Sequence, residues 1–84
     1  MIKNSELTKD DITNIYKTIG KNVKRIREEK GISQLNLAMA IGHKSVGVIS
    51  NCELCLQNKH LNIEQLIKIA DVLGVNIKDF FENI

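Results

Sequence analysis

Proline is missing from this 84-residue sequence, so no helix need be interrupted by a residue that lacks an N–H. Aromatic residues are nearly missing too: one tyrosine and two phenylalanines. With aliphatic residues abundant, both shortages lean toward an all-α fold. No apolar run approaches the ~20 residues that cross a bilayer, so no membrane association is expected. Met1-Ile2-Lys3-Asn4 leads into no apolar segment, so no signal peptide is expected. Two cysteines, Cys52 and Cys55, are too few for a secreted disulfide scaffold, and a cytoplasmic location follows as the expectation. Charge of one sign does not dominate either. The net charge is only +2, so charge does not announce a nucleic-acid binder.

The distribution of charge says more than its sum. Residues 1–62 carry ten Lys/Arg against six Asp/Glu, and residues 63–84 carry two against four. A basic front and an acidic back are compatible with one face meeting phosphate, and equally with ordinary solvation. The length fits a single small domain with a modest core, in which well-capped short helices supply much of the order.

Helical periodicity runs through most of the chain. Thr8 precedes Lys9-Asp10-Asp11 as an N-cap with acids in the first turn. Ile12, Ile15, Tyr16, Ile19, Val23 and Ile26 then recur at helical spacing, and Gly31 ends the pattern as a left-handed residue. Gly20 lies midway, which leaves open one long helix or two shorter ones. Ser33 caps a second helix through Ile41, with Leu37, Ala38 and Ile41 inward and Gly42 closing it. Ser45 is the natural cap of a third, over about 46–53, with Val48, Ile49 and Cys52 inward. Residues 54–61 form a loop with Asn58 left-handed. Asn62 and Gln65 make a capping box for a fourth helix. Its Ile63, Leu66, Ile67, Ile69, Ala70, Val72 and Leu73 predict a helix buried around most of its circumference. Asn76 and Asp79 open a last short helix striped by Ile77, Phe80, Phe81 and Ile84. No repeat, low-complexity segment or strand-like alternation interrupts this order. The expectation is a compact five-helix bundle, with the second and third helices joined by a glycine-containing turn of about three residues.

IGKNVKRIREEKGISQLNLAMAIG, then VISNCE, then LIKIADVLGVNIKDFF, resembles the Cro/C1-type helix-turn-helix domain of bacterial and phage regulators, the XRE family. The most specific elements are RIREEKGISQ, the run Ile49-Ser50-Asn51-Cys52-Glu53, and IADVLGVNIKDFF. The division expected is an N-terminal helical extension over 1–18 and a Cro/C1-type domain over 19–84. Three departures stand out: one residue more between Gly42 and Ile49 than is usual, about two more between Glu53 and Leu66, and none of the common arginines of the recognition helix. The resemblance implies a repressor-like bundle and sequence-specific binding of double-stranded DNA. It implies a transcriptional regulator, a repressor by preference, acting as a homodimer on a pseudo-palindromic operator.

The recognition helix would then be the segment at about 45–53. Its outward face carries Val46, Gly47, Ser50 and Asn51, a surface that gains little from water or from helix propensity. Such a face makes sense where DNA covers it; the plainer alternative is packing against a neighbouring chain. Val46 could pack on a thymine methyl, Asn51 could pair with adenine N6 and N7, and Ser50 could reach phosphate or a base. Lys44 and Ser45 stand at the helix entrance, where Lys44 could take a phosphate or a guanine. Gln34 resembles the family glutamine that bonds phosphate and braces the recognition helix. Arg25, Arg27 and Lys30 lie on the basic face of the first helix as further phosphate candidates. Leu35 and Met39 stand where the family carries charge, which suggests cover by Ile2, Leu7, Ile12 and Ile15 or by a protein partner. A partner-dependent, antitoxin-like module on the same fold is therefore the alternative function. Cys52 and Cys55, with His43 and His60 nearby, have spacing that invites zinc. Cys52 falls on the inward stripe, however, where a cysteine serves as a small apolar residue, and no metal or cofactor is expected. An enzyme is not expected, since neither histidine has an acid or nucleophile set around it.

Overall fold

The computed structural model describes residues 2–84 and is all-helical. Four α-helices form it: α1, Lys9–Glu29; α2, Gln34–Ala40; α3, Gly47–Glu53; and α4, Ile63–Leu73. Two 3-10 segments follow α3 and α4, at Leu56–Asn58 and Ile77–Phe81. The expected fifth helix is the second of these, a tighter turn than an α-helix.

Local chemistry sets most of the helix ends. Thr8 Oγ1 accepts from the Asp11 N–H while the Asp11 carboxylate accepts from the Thr8 N–H. Asn62 and Gln65 exchange the same pair of bonds at the head of α4, and Asn76 and Asp79 close a third box. Ser33 Oγ accepts from the Asn36 N–H at the start of α2. Gly31 is left-handed, as expected, and lets the Ile32 N–H return to the Arg27 carbonyl.

α1 packs against α3 and the C-terminal 3-10 helix, α2 against α3 and α4. Ile19, Val23 and Ile26 of α1, Leu37 and Ala38 of α2, Ile49 and Cys52 of α3, Leu66, Ile69, Ala70 and Leu73 of α4, and Phe80 share one core. Asn22 fastens the C-terminal 3-10 helix by donating to the carbonyls of Phe80 and Glu82, both at 2.9 Å.

α1 is one helix, not two, and runs unbroken across residues 18–19. Gly20 does not loosen it. A Cβ there would lie 2.5 Å from the Glu53 carbonyl oxygen and 2.7 Å from that of Cys52. The glycine is what lets the C-terminal end of α3 dock against α1. All of the helix's buried residues lie from Ile19 onward, while in its first half Ile15, partly buried, packs against the edge of the core.

Two burial expectations fail. α4 is apolar around its circumference but is not enclosed: Ile63 is 60% and Ile67 55% exposed. Three other helices in so short a chain cannot surround α4 on every side. Leu35 and Met39 are not covered by the N-terminal extension, being 48% and 61% exposed, and Ile2, Leu7 and Ile12 are exposed as well. Because α1 continues straight through Gly20, its first half is carried past the 55–60 turn, where Tyr16 meets His60, instead of folding back over α2.

Candidate nucleic-acid interface

α3 is held from behind by a buried polar cluster. Glu53, fully buried, accepts from Arg27 Nε at 2.8 Å and from Arg27 Nη2 at 3.1 Å. Gln34 Nε2 donates to the same carboxylate at 3.0 Å, and Arg27 Nη1 donates to the Ile32 carbonyl at 2.8 Å. A charge buried alone is strongly unfavourable, whereas a bidentate pair with further donors is not. The cluster therefore fixes the C-terminal end of α3 relative to α1 and α2 together.

This geometry corrects the reading of Arg27. It is buried within the chain and each of its three guanidinium nitrogens donates to Glu53 or Ile32, so it is no surface contact for phosphate. The sequence did carry a signal: Arg27 lies four residues beyond Val23 and Glu53 four beyond Ile49, opposite charges on two inward stripes. Arg25 is exposed but lies between two carboxylates, Glu29 at 3.3 Å and Glu82 at 3.5 Å, on the side of α1 that meets the C-terminus. Neither arginine is brought to α3's outer face. Gln34 turns its amide toward Glu53 and so ties α2 to α3.

The connection from α2 to α3 is Ile41–Val46, longer than the expected three-residue turn because α2 stops at Ala40 and α3 begins at Gly47. The N-cap position falls on Val46, which has no side-chain acceptor; Ser45, one residue earlier, instead accepts the Gly47 N–H at 3.1 Å. Lys44, Ser45 and Val46 are exposed at this entrance. The Ser50 hydroxyl leans back on the Gly47 carbonyl at 3.4 Å. Val48, expected inward, is only partly buried.

Ser45, Gly47, Val48, Asn51 and Cys52 form one wall of an open groove of about 680 Å³, and Asn58, Lys59, His60, Asn62 and Gln65 form the other. Among the described residues, no lining side chain is a carboxylate. The second wall was not anticipated from sequence, since its residues come from a loop and from the head of α4 and carry no periodicity. Its central feature is the His60 ring stacked on Tyr16, with centroids 3.6 Å apart and planes 6° from parallel.

Cys52 and Cys55 are buried free thiols. Burial pushes the Cys52 thiol above its ordinary pKa, the neighbouring Cys55 pushes it the same way, and Lys59 opposes both. Among the described residues, no three His, Cys, Asp or Glu side chains are gathered as metal ligands, and no helix is long and apolar enough to cross a membrane.

Two consecutive short helices, α2 and α3, joined by a short connection, packed on each other and backed by α1, have the arrangement of the helix-turn-helix class. A helix-turn-helix family model matches residues 23–80, more than half of the chain. The chain belongs to the Cro/C1-type helix-turn-helix family, the XRE family of DNA-binding transcription regulators. No match to an individual curated protein was found.

Proposed function

We propose that this chain is a sequence-specific DNA-binding repressor, acting in the cytoplasm as a homodimer on a pseudo-palindromic operator, with α3 in the major groove. The outer face of α3 carries the reading. Ser45, Gly47 and Asn51 border an open groove free of carboxylates, and small side chains there allow close approach to base edges. Asn51 reads an adenine through N6 and N7, and Val46 packs on a thymine methyl. Lys44 takes a phosphate or a guanine, and Ser50 takes a phosphate or a base. Occupying an operator is enough to block other proteins from it, which favours repression. One domain covers only a half-site, and a two-fold dimer sets two such helices about one turn of DNA apart. Phe81 and Ile84, exposed at the C-terminus, are the leading dimer contacts, with the first half of α1 as the other.

Gly47→Glu is the test. A Cβ at Gly47 meets only Ser45 Oγ at 3.4 Å and Asn51 Nδ2 at 3.8 Å, so the residue has room. An acid in the first turn of a helix is favourable, so folding is retained. DNA binding should be lost, because the carboxylate lies where phosphates and base edges crowd closest. A folded Gly47→Glu protein that binds its selected site normally would refute the placement of α3. Sedimentation at micromolar concentration tests the dimer; a strict monomer, also on DNA, would refute it.

One observation favours a second reading. Leu35 and Met39, one turn apart on α2, are both about half exposed or more, which suits a protein partner and an antitoxin-like role.

A further inference from the structure

The wall facing α3 stands on an awkward stretch of backbone. Cys55, Gln57 and Asn58 all have positive φ, at 54°, 54° and 59°. Side chains other than glycine adopt that region reluctantly, so a run of three in four residues needs an external support. Just beyond this run the His60 ring stacks face to face on Tyr16, an aromatic contact that ties the segment to α1. Tyr16, outside the core, belongs to the first half of α1. His60 and Asn58 line both the groove beside α3 and a second cavity, whose other side is Lys9, Asp10, Ile12, Thr13 and Tyr16 of α1. The ring pair is thus the joint between the N-terminal half of α1 and the groove wall that carries Lys59.

A helix lying in the major groove has a sugar–phosphate ridge on each side of it. On α3's far side, the groove wall of Asn58, Lys59, His60, Asn62 and Gln65 is the surface such a ridge would meet, and Lys59 is the cation in that wall. We infer that Tyr16, through its stack on His60, is a positioning residue that holds Lys59 against the DNA phosphates flanking α3. The first half of α1 then serves DNA binding without touching DNA. This inference rests on the placement of α3 in the groove.

The test is equilibrium binding of the full chain to a duplex selected from a random pool and to an unrelated duplex, each at several salt concentrations. Lys59→Ala should weaken both and lower the salt slope by about one unit. Tyr16→Ala should lower the slope by the same amount without altering sequence preference. The double variant should be no worse than either single one, and Tyr16→Phe, which keeps the ring, should bind as wild type. Should Tyr16→Ala melt the domain, His60→Ala removes the other ring from an exposed position and gives the same readout. A folded Tyr16→Ala or His60→Ala protein with the wild-type salt slope, or an effect that adds to that of Lys59→Ala, overturns the inference. The two failures are distinguishable. If Gly47→Glu abolishes binding while Lys59→Ala leaves the slope unchanged, only this inference falls; if Gly47→Glu binds normally, the placement of α3 falls and takes this with it.

Discussion

Replacing Gly20 by alanine asks whether this glycine is a flaw in α1 or its fastening point. By helix propensity alone, alanine in a helix interior is favoured by about 0.8–1.0 kcal/mol. Packing points the other way. The added Cβ would lie 2.5 Å from the Glu53 carbonyl oxygen and 2.7 Å from that of Cys52. Both are backbone atoms, so no change of rotamer relieves the clash. To reach an ordinary contact of 3.4 Å, the end of α3 must withdraw by about 0.9 Å. That withdrawal pulls on Glu53, whose carboxylate is held 2.8 Å from Arg27 and 3.0 Å from Gln34. Overpacking costs ~1–3 kcal/mol, and buried hydrogen bonds to charged groups are worth ~1.5–3 kcal/mol when intact. Set against the propensity gain, Gly20→Ala should lose ~1–3 kcal/mol, and each kcal/mol lowers the Tm of a domain this size by about 4–8 °C. Urea unfolding followed by far-UV circular dichroism measures it, with the exposed neighbour Lys21→Ala as a near-neutral control. A Gly20→Ala protein more stable than wild type would refute the reasoning, because it would mean that α3 does not rest on this residue.

Glu53→Ala leaves the Arg27 guanidinium buried without its counter-charge and should cost ~3–5 kcal/mol, a large part of the ~5–15 kcal/mol that holds a small domain together. Arg27→Met combined with Glu53→Leu should recover most of that loss in urea unfolding. Asn51→Ala and Lys44→Ala should fail differently in binding titrations. The first should cost ~1–3 kcal/mol on the selected site and relax one position, and the second should weaken all sequences and lower the salt slope by about one. Cys52 should react with iodoacetamide more slowly in the folded chain than in urea, because burial disfavours its thiolate. Since its folded-state pKa lies above the unfolded one, its contribution to stability is whole below the unfolded thiol's pKa. It declines as pH rises from there through the folded value, which alkaline unfolding curves should register.

What could be read from the sequence is what is decided within a few residues. The Thr8 N-cap and the boxes Asn62–Gln65 and Asn76–Asp79 are contacts within three residues, and all three form. The left-handed Gly31 and Asn58 follow from the same local logic. The inward stripe from Ile19 to Ile26 is equally local. Features that depend on two distant segments were not legible. Gly20 looked like a weak point until the carbonyls of α3 were found against it. Arg27 stands among the basic residues of α1 in sequence, but its helical phase, four residues beyond Val23, turns it inward. α4 looked enclosed because an apolar circumference states what could be buried, not how many neighbours are available. For the interface, the outer face of α3 was visible from its helical phase, but the wall from Asn58 to Gln65 was not, since a loop has no period to read.

The capping of α3 differs from that of the other helices, and this sets a gradient of order along it. Thr8, Ser33, Asn62 and Asn76 each hold the first turn of a helix by a side chain at the N-cap, whereas α3 begins on Val46 with a glycine next and no acid in its first turn. Its far end is anchored by Ile49, Cys52 and Glu53. Amide hydrogens at Gly47 and Val48 will therefore exchange with solvent well before those near Cys52. Fixing one residue's backbone costs about 1–2 kcal/mol, so a surface that completes this first turn forgoes part of its contact energy to ordering. Binding there will carry an unfavourable entropy, and it will be loosened by any substitution that frays the entrance further, even one that removes no contact.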